Sequence, residues 1–312
     1  MVEQGEKQMT TSVIVPTYNG AHKIISLLQC LEQQTHPADE VIVVIDGSTD
    51  GTADLLKKNN FNFISFRIVE QANGGRAKVR NRGAKEATND LLIFFDDDMR
   101  PDPECIAIHI AHHESNDRSL LSGSQIDKEG DEDIQRYKAM LSRKWSQPLR
   151  SKQGRPLKKE EVFLTAANFS IPRVLFQELN GFDEDLTDAE DFDLAVRANA
   201  ANIPVYYDHR AFALHEDPVT GRSYIKRQRQ YRAAHKELFD RFPSRYNSFT
   251  LHAPKEPKGL KKFFFRSFCS AFWVNWLDKG SWKKLLPQKL RYKLYDWIIT
   301  ANGVYFPGKT SL

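Results

Sequence analysis

Three adjacent carboxylates, Asp96, Asp97 and Asp98, follow five apolar residues, Leu91 to Phe95. Three such charges held together at a strand end repel one another, and a cation relieves that repulsion. Hard oxygen donors select Mg²⁺ or Mn²⁺, and Mg²⁺ commonly takes one or two protein carboxylates together with substrate phosphates. If the strand stays extended, alternation puts Asp96 and Asp98 on one side and turns Asp97 away. A solvated acidic turn is the alternative for such a triplet in isolation. Its place directly after a buried strand, where ligands bind in open α/β sheets, favours the chemical reading.

Four further positions could join that chemistry. Asp46 ends the apolar run Val41 to Ile45 and opens a turn, Gly47-Ser48-Thr49-Asp50-Gly51, so its carboxylate can accept from a ribose hydroxyl or a base N–H. Arg80 lies on a helix that begins after Asn73-Gly74-Gly75, and a helix start favours anions. Asp191 sits in Glu190-Asp191-Phe192-Asp193 at another helix start, where acidic residues are stabilising anyway. Aimed at a crevice, it could also take a proton from an acceptor hydroxyl. His215, in Leu214-His215-Glu216, is a candidate third metal ligand or phosphate contact. His109, His112 and His113 have no Cys or His pair at metal-site spacing and read as packing or surface residues.

The elements that must place these groups alternate in type. Val13 to Val15, Val41 to Ile45, Phe63 to Val69 and Leu91 to Phe95 read as strands. Between or after them, Ala21 to Gln33, Thr52 to Lys58 and Gly75 to Ala87 carry helical periodicity. The pattern predicts an α/β fold with a mostly parallel, doubly wound sheet covered by helices on both faces. Beyond Ser124 the pattern loosens. Residues 127–161 read as loops around one or two helices and, with Thr165 to Asn168, as acceptor walls. Order returns at Val162 to Leu164, with helices over Pro172–Leu179, Asp191–Asn202 and Tyr224–Phe242. The expected division is a tail at 1–11, a catalytic domain at 12–253 (nucleotide half 12–124, acceptor half 125–253) and a basic, aromatic helical extension at 254–312.

Bulk composition narrows the class. The 312 residues are 40% hydrophobic and 28% charged, an ordinary globular balance. Three scattered cysteines make neither a disulfide framework nor a zinc site and suit a reducing cytosol. From Lys255 onward there are 12 Lys and Arg against 3 Asp and Glu, while the chain before it carries 33 against 38. Basicity confined to one end argues against a nucleic-acid partner. Residues 1–11 lack the basic-then-apolar pattern of a secretory signal, and no apolar run reaches the roughly 18 residues of a membrane span.

Taken in order, Ser12-Val13-Ile14-Val15-Pro16-Thr17-Tyr18-Asn19, Asp46-Gly47-Ser48-Thr49-Asp50, Asn73-Gly74-Gly75 with Arg80-Asn81, Asp96-Asp97-Asp98, Gly181-Phe182-Asp183-Glu184 and Glu190-Asp191-Phe192-Asp193-Leu194 with Arg197 resemble family 2 glycosyltransferases of GT-A fold. The resemblance runs from Ser12 to His215. It implies an inverting enzyme that moves a sugar from a nucleotide-diphosphate donor, most often a UDP-sugar, to a glycan or lipid-linked acceptor. By that analogy Pro16, Thr17, Tyr18 and Asp46 hold base and ribose, Arg80, Asp96 and Asp97 belong to the nucleotide-sugar site, Asp98 with Asp96 holds Mg²⁺ or Mn²⁺, and Asp191 is the base. Ile45 stands where the family commonly has a first aspartate. Gln228 to Arg232 does not reproduce the QxxRW motif of processive polymerases. A metal-dependent nucleotidyltransferase is the alternative enzyme, but it would want a Gly-rich loop where Pro16 to Asn19 stands. A non-catalytic nucleotide-sugar binder or membrane scaffold would have little use for Asp191.

In the extension, Phe265, Phe268, Phe272 and Trp276 follow helical spacing, with Trp282, Lys283, Lys284, Lys289, Arg291 and Lys293 beyond. Aromatics on one stripe beside Lys and Arg suit a helix on an anionic membrane surface, and so a cytoplasmic protein peripheral to the membrane's cytoplasmic face. The competing expectation is that these aromatics pack on the catalytic domain.

Overall fold

A computed structural model describes residues 9–246, 257–280 and 285–311. The expectations for residues 1–8, for the linker at 254–256 and for Trp282, Lys283 and Lys284 lie outside the described residues. The chain divides into two compact units, residues 1–127 with 143–216, and residues 128–142 with 217–312.

The first unit is built on one eight-stranded sheet in the order β3-β2-β1-β4-β7-β6-β8-β5. Strands β1 (Thr11–Thr17), β2 (Glu40–Asp46), β3 (Phe66–Gln71) and β4 (Leu91–Phe95) are mutually parallel. Every residue of β1, β2 and β4 is buried, as continuous apolar runs require when helices cover both faces. Helices α1 (Ile24–Glu32), α2 (Thr52–Lys58) and α3 (Arg76–Glu86) make the crossovers. On α3, Gly83 is obligatory, because a Cβ there would lie 2.4 Å from the Ile14 side chain.

The second half of the sheet is mixed. The short β5 (Met99–Pro101) and helix α4 (Cys105–Ser115) lead to β6 (Leu120–Asp127). After β7 (Asn168–Pro172), α6 (Arg173–Glu178) and α7 (Glu190–Ala200) comes β8 (Val205–His215). Strand β7 runs antiparallel to β4 and β6, and β5 antiparallel to β8, while β6 and β8 are parallel. The unbroken parallel run thus ends at β4, and beyond it only the β6–β8 pair is parallel. The sequence did not show β7, because its polar residues face inward. Asn168 and Ser170 are fully buried and bond His109, and Ser170 also bonds His113. The two histidines are therefore packing residues, joined in a buried polar network. Asn168 also donates to the Ser124 and Ala211 carbonyls beside the bulge between Gly123 and Ser124. Residues 162–164, expected to be ordered, form no regular element. The stretch expected to be loops around one or two helices holds the long helix α5 (Asp133–Arg150), with Pro148 in its last turn.

The second unit gathers α8 (Gly221–Arg241), α9 (Pro243–Tyr246), α10 (Gly259–Ser267), α11 (Ala271–Lys279) and α12 (Gln288–Ile299) with the start of α5. Its core joins Ile134 and Tyr137 of α5 and Tyr224 and Ile225 of α8 to Phe268, Val274, Trp276, Tyr295 and Ile298. The basic α8, expected inside the catalytic domain, packs with the extension. The aromatic stripe is not one helical face. The helix breaks between Ser267 and Ala271, so Phe268 and Trp276 are buried while Phe272 is 63% exposed. Among the described residues no helix is long and apolar enough to cross a membrane.

Candidate functional site

Where β1 ends, pairing with β4 has already stopped at Ile14 opposite Phe94, so Pro16 interrupts no β4 ladder bond. Thr17 closes the strand, and its hydroxyl donates to Asp97 Oδ2 at 2.6 Å. Gly20 makes that contact possible, since a Cβ there would stand 2.1 Å from Thr17 Oγ1 and 2.6 Å from Asp97 Oδ2. Tyr18 remains 54% exposed. The loop is tied to the turn after β2 by Asn19 N–H donating to Ser48 Oγ and Gly20 N–H donating to Thr52 Oγ1.

Asp46 is buried and holds a neighbouring turn. Its carboxylate accepts from the backbone N–H groups of Gly74 and Gly75 at 2.7 and 2.9 Å and from the Gln71 amide at 2.8 Å. Gly75 takes φ +87°, a left-handed conformation that glycine adopts without strain. Asp46 therefore shapes the entry to α3.

The aspartate run leaves the strand at Phe95. Met99 N–H donates to the Asp96 carbonyl, so residues 96–98 form a turn and strand alternation does not apply to them. This corrects the expected partition. Asp96 pairs with Arg80, Asp97 turns inward to Thr17, and Asp98 approaches His215. Lys23, just before α1, bridges the latter two carboxylates at 2.7 Å from Asp97 Oδ1 and 3.3 Å from Asp98 Oδ2. Sequence reasoning missed Lys23. A cation at a helix start, where the dipole disfavours it, was the available signal. Burial pushes the Asp97 carboxyl up to about 6 against the pull of Lys23. Burial also raises Asp98, but His215 and Lys23 outweigh it and hold that carboxyl well below the usual range.

His215 is the last residue of β8, in register with Met99 of β5 on one side and Asp127 of β6 on the other. Its Nδ1 lies 2.8 Å from Asp127 Oδ1 and its Nε2 3.4 Å from Asp98 Oδ1. Asp98 Oδ1 is buried and accepts no hydrogen bond within normal distance. A buried anionic oxygen without a donor, beside an imidazole nitrogen whose partner nitrogen faces a carboxylate, suits a divalent cation. Among the described residues no three His, Cys, Asp or Glu side chains form a closed metal cage. Asp98 and His215 are then the candidate donors, a pair that would leave coordination positions open for diphosphate oxygens. Asp96, expected as the second ligand, is engaged by Arg80.

Arg80 joins the two acidic clusters. Its Nη1 lies 2.6 Å from Glu190 Oε1, and its Nη2 bonds Asp96 Oδ1. Asp191, next to Glu190 at the start of α7, accepts from the Ala166 N–H at 3.2 Å and from the Phe192 N–H at 2.8 Å. Burial raises the carboxyls of Asp191 and Glu190 alike. A desolvated carboxylate whose proton affinity is raised is suited to taking a proton.

The sequence profile of glycosyl transferase family 2 matches residues 12–179, more than half of the chain. The chain belongs to that family. A Bacillus subtilis relative named uncharacterized glycosyltransferase YfnE is 38% identical over 118 residues, which cover 37% of this chain and 30% of that protein. The chain thus aligns with under a third of that relative's length. The fold is GT-A. The Pyrobaculum calidifontis mannosyltransferase PcManGT, in complex with GDP-Man and Mn²⁺, superposes with TM-score 0.62 at 17% identity, covering 96% of this chain and 88% of that one. Residues 1–349 of Staphylococcus aureus TarS, in complex with UDP-GlcNAc, give TM-score 0.56 at 21% identity, covering 96% of this chain and 93% of that one. The family-matched segment contains the aspartate run and Arg80 but stops short of Asp191 and His215, whose places come from the fold.

Proposed function

We propose that this family 2 chain is an inverting glycosyltransferase that moves a sugar from a nucleotide-diphosphate donor, a UDP-sugar, to a hydroxyl of a glycan or lipid-linked acceptor on the cytoplasmic side. The observation that carries this reading is Arg80. By bonding both Asp96 and Glu190, it makes the turn after β4 and the start of α7 one cluster, with Asp191 next to Glu190.

In this reading Tyr18 offers its exposed ring to the base, and Asp46 acts through the turn it holds as much as by direct contact. Asp98 and His215 would hold Mg²⁺ or Mn²⁺, which neutralises the diphosphate so that it departs as a stabilised dianion. Asp96, fixed by Arg80, faces the donor sugar. Asp191 takes the proton of the acceptor hydroxyl as that oxygen attacks the anomeric carbon from the face opposite the diphosphate. A single displacement gives inversion. The Ala166 N–H keeps the Asp191 carboxylate oriented. The UDP-GlcNAc complex of TarS and the GDP-Man complex of PcManGT support a nucleotide-sugar donor without choosing the base.

The test is a panel of UDP-, GDP- and TDP-sugars assayed for binding and slow hydrolysis with and without Mn²⁺. Mn²⁺-dependent turnover of one donor, lost in Asp98→Ala, is the expected result. Silence across all three groups overturns the reading.

A further inference from the structure

Helix α10 exposes three large apolar side chains at neighbouring positions, whereas Tyr231 of α8 and Phe272 of α11 are exposed singly. This nine-residue helix, sequence Gly-Leu-Lys-Lys-Phe-Phe-Phe-Arg-Ser, contributes no buried residue to any core. Leu260 is 89% exposed, Phe263 75% and Phe264 41%. At about 100° per residue these three fall on one face, within an arc of about 100°. Lys261 and Arg266 flank that arc, and no acidic residue lies on the helix. The patch extends to α12. The Trp297 ring stands 4.9 Å from that of Phe264, edge to face, and Lys293 Nζ lies 5.3 Å from the Trp297 ring. Phe265, on the other side of α10, packs toward the unit's core and meets the Tyr305 ring edge to face, which anchors the helix with its apolar face outward.

We propose that this face of α10 is a docking surface for an anionic lipid bilayer. The charge pattern selects that occupant. A protein partner for three large apolar side chains needs no cationic border, whereas an anionic interface takes up the apolar arc among acyl chains and the flanking Lys and Arg among headgroups. The fold sharpens what the aromatic spacing suggested. Phe268 and Trp276 are structural, and Leu260, Phe263 and Phe264 are the inserting residues. One short helix with this border makes the attachment reversible and salt-sensitive.

The experiment is co-sedimentation of the full chain with vesicles of phosphatidylcholine alone or mixed with phosphatidylglycerol. Donor hydrolysis in solution is followed separately, so that failure of the enzymatic reading and failure of this one are distinct. Binding to the phosphatidylglycerol vesicles, weakened by salt, is expected. Phe263→Glu and Leu260→Glu, both at exposed sites, should each reduce it by about tenfold with unchanged melting temperature. Lys261→Gln with Arg266→Gln should reduce binding while leaving the apolar face intact. Equal binding by wild type and Phe263→Glu overturns the proposal, as does absence of wild-type binding to both vesicle types. Self-association of the chain that Phe263→Glu abolishes, without vesicle binding, would make the face a contact between copies and also overturn it.

Discussion

The imidazole Nε2 of His215 stands 3.4 Å from Oδ1 of Asp98, and strand pairing brings them there. Met99 pairs with His215 across β5 and β8, and the Glu216 N–H donates to the Asp98 carbonyl at 2.9 Å. Asp127, opposite His215 on β6, takes the other ring nitrogen. In the proposed reading, Asp127 would therefore orient the metal-facing imidazole without itself touching substrate.

Asp127→Asn should loosen the orientation of His215 and weaken Mn²⁺ binding by about 10- to 100-fold, the range for partners that orient a ligating histidine. Titration of Mn²⁺ into protein saturated with UDP reads this directly. Asp127→Glu should recover part of the loss. Unchanged Mn²⁺ affinity in Asp127→Asn would show that the 2.8 Å contact serves the sheet alone.

Lys23→Met should act in the opposite direction. The Lys23 ammonium neutralises Asp97 and Asp98, so it competes with any cation for Asp98. Without it, Mn²⁺ should bind more tightly, while the metal-free protein melts at a lower temperature because two buried carboxylates lose their counter-charge. Weaker Mn²⁺ binding in Lys23→Met would mean that Lys23 positions the carboxylates.

Asp191→Asn keeps the side-chain shape and removes the proposed base. Turnover should fall by about 10²- to 10⁴-fold while donor affinity changes little. The sign of the pH dependence follows from the raised carboxyl. As a base Asp191 must be deprotonated, and burial shifts its titration upward, so activity should fall as pH drops through a pKa above the usual value of about 3.9. The acid limb of kcat/KM should thus lie above that of an exposed aspartate and should vanish from the residual activity of Asp191→Asn. A variant that retained near wild-type turnover would remove Asp191 from the mechanism.

Arg80→Met should destabilise the fold by about 3 kcal/mol, because it leaves Glu190 buried without its cation. Urea denaturation measures that loss. Glu190→Gln paired with Arg80→Met should recover much of it, whereas an additive double variant would show that the two residues do not stabilise each other.

The parallel strands β1, β2 and β4 and helix α2 were readable from sequence because each is a local pattern. An unbroken apolar run of about five residues, enriched in β-branched or aromatic side chains and set between turn residues, reads as a strand covered on both faces, and the turn residues mark its ends. Asp46, the aspartate run and Asp191 were readable as functional candidates because acidic residues at strand tips and helix starts are visible in one dimension. The tertiary structure alone decided their partners. It spent Asp46 on the Gly74–Gly75 turn, Asp97 on Thr17 and Lys23, and Asp96 on Arg80, since a turn after Phe95 points the three carboxylates in directions that strand alternation does not describe. It also decided β7, whose buried Asn168 and Ser170 look like loop residues until His109 and His113 arrive from α4. In the C-terminal helices, hydrophobicity by itself could not separate core from docking face. Both call for Phe and Trp, and only the packing of α10, α11 and α12 buries Phe268 and Trp276 while leaving Phe263 outside.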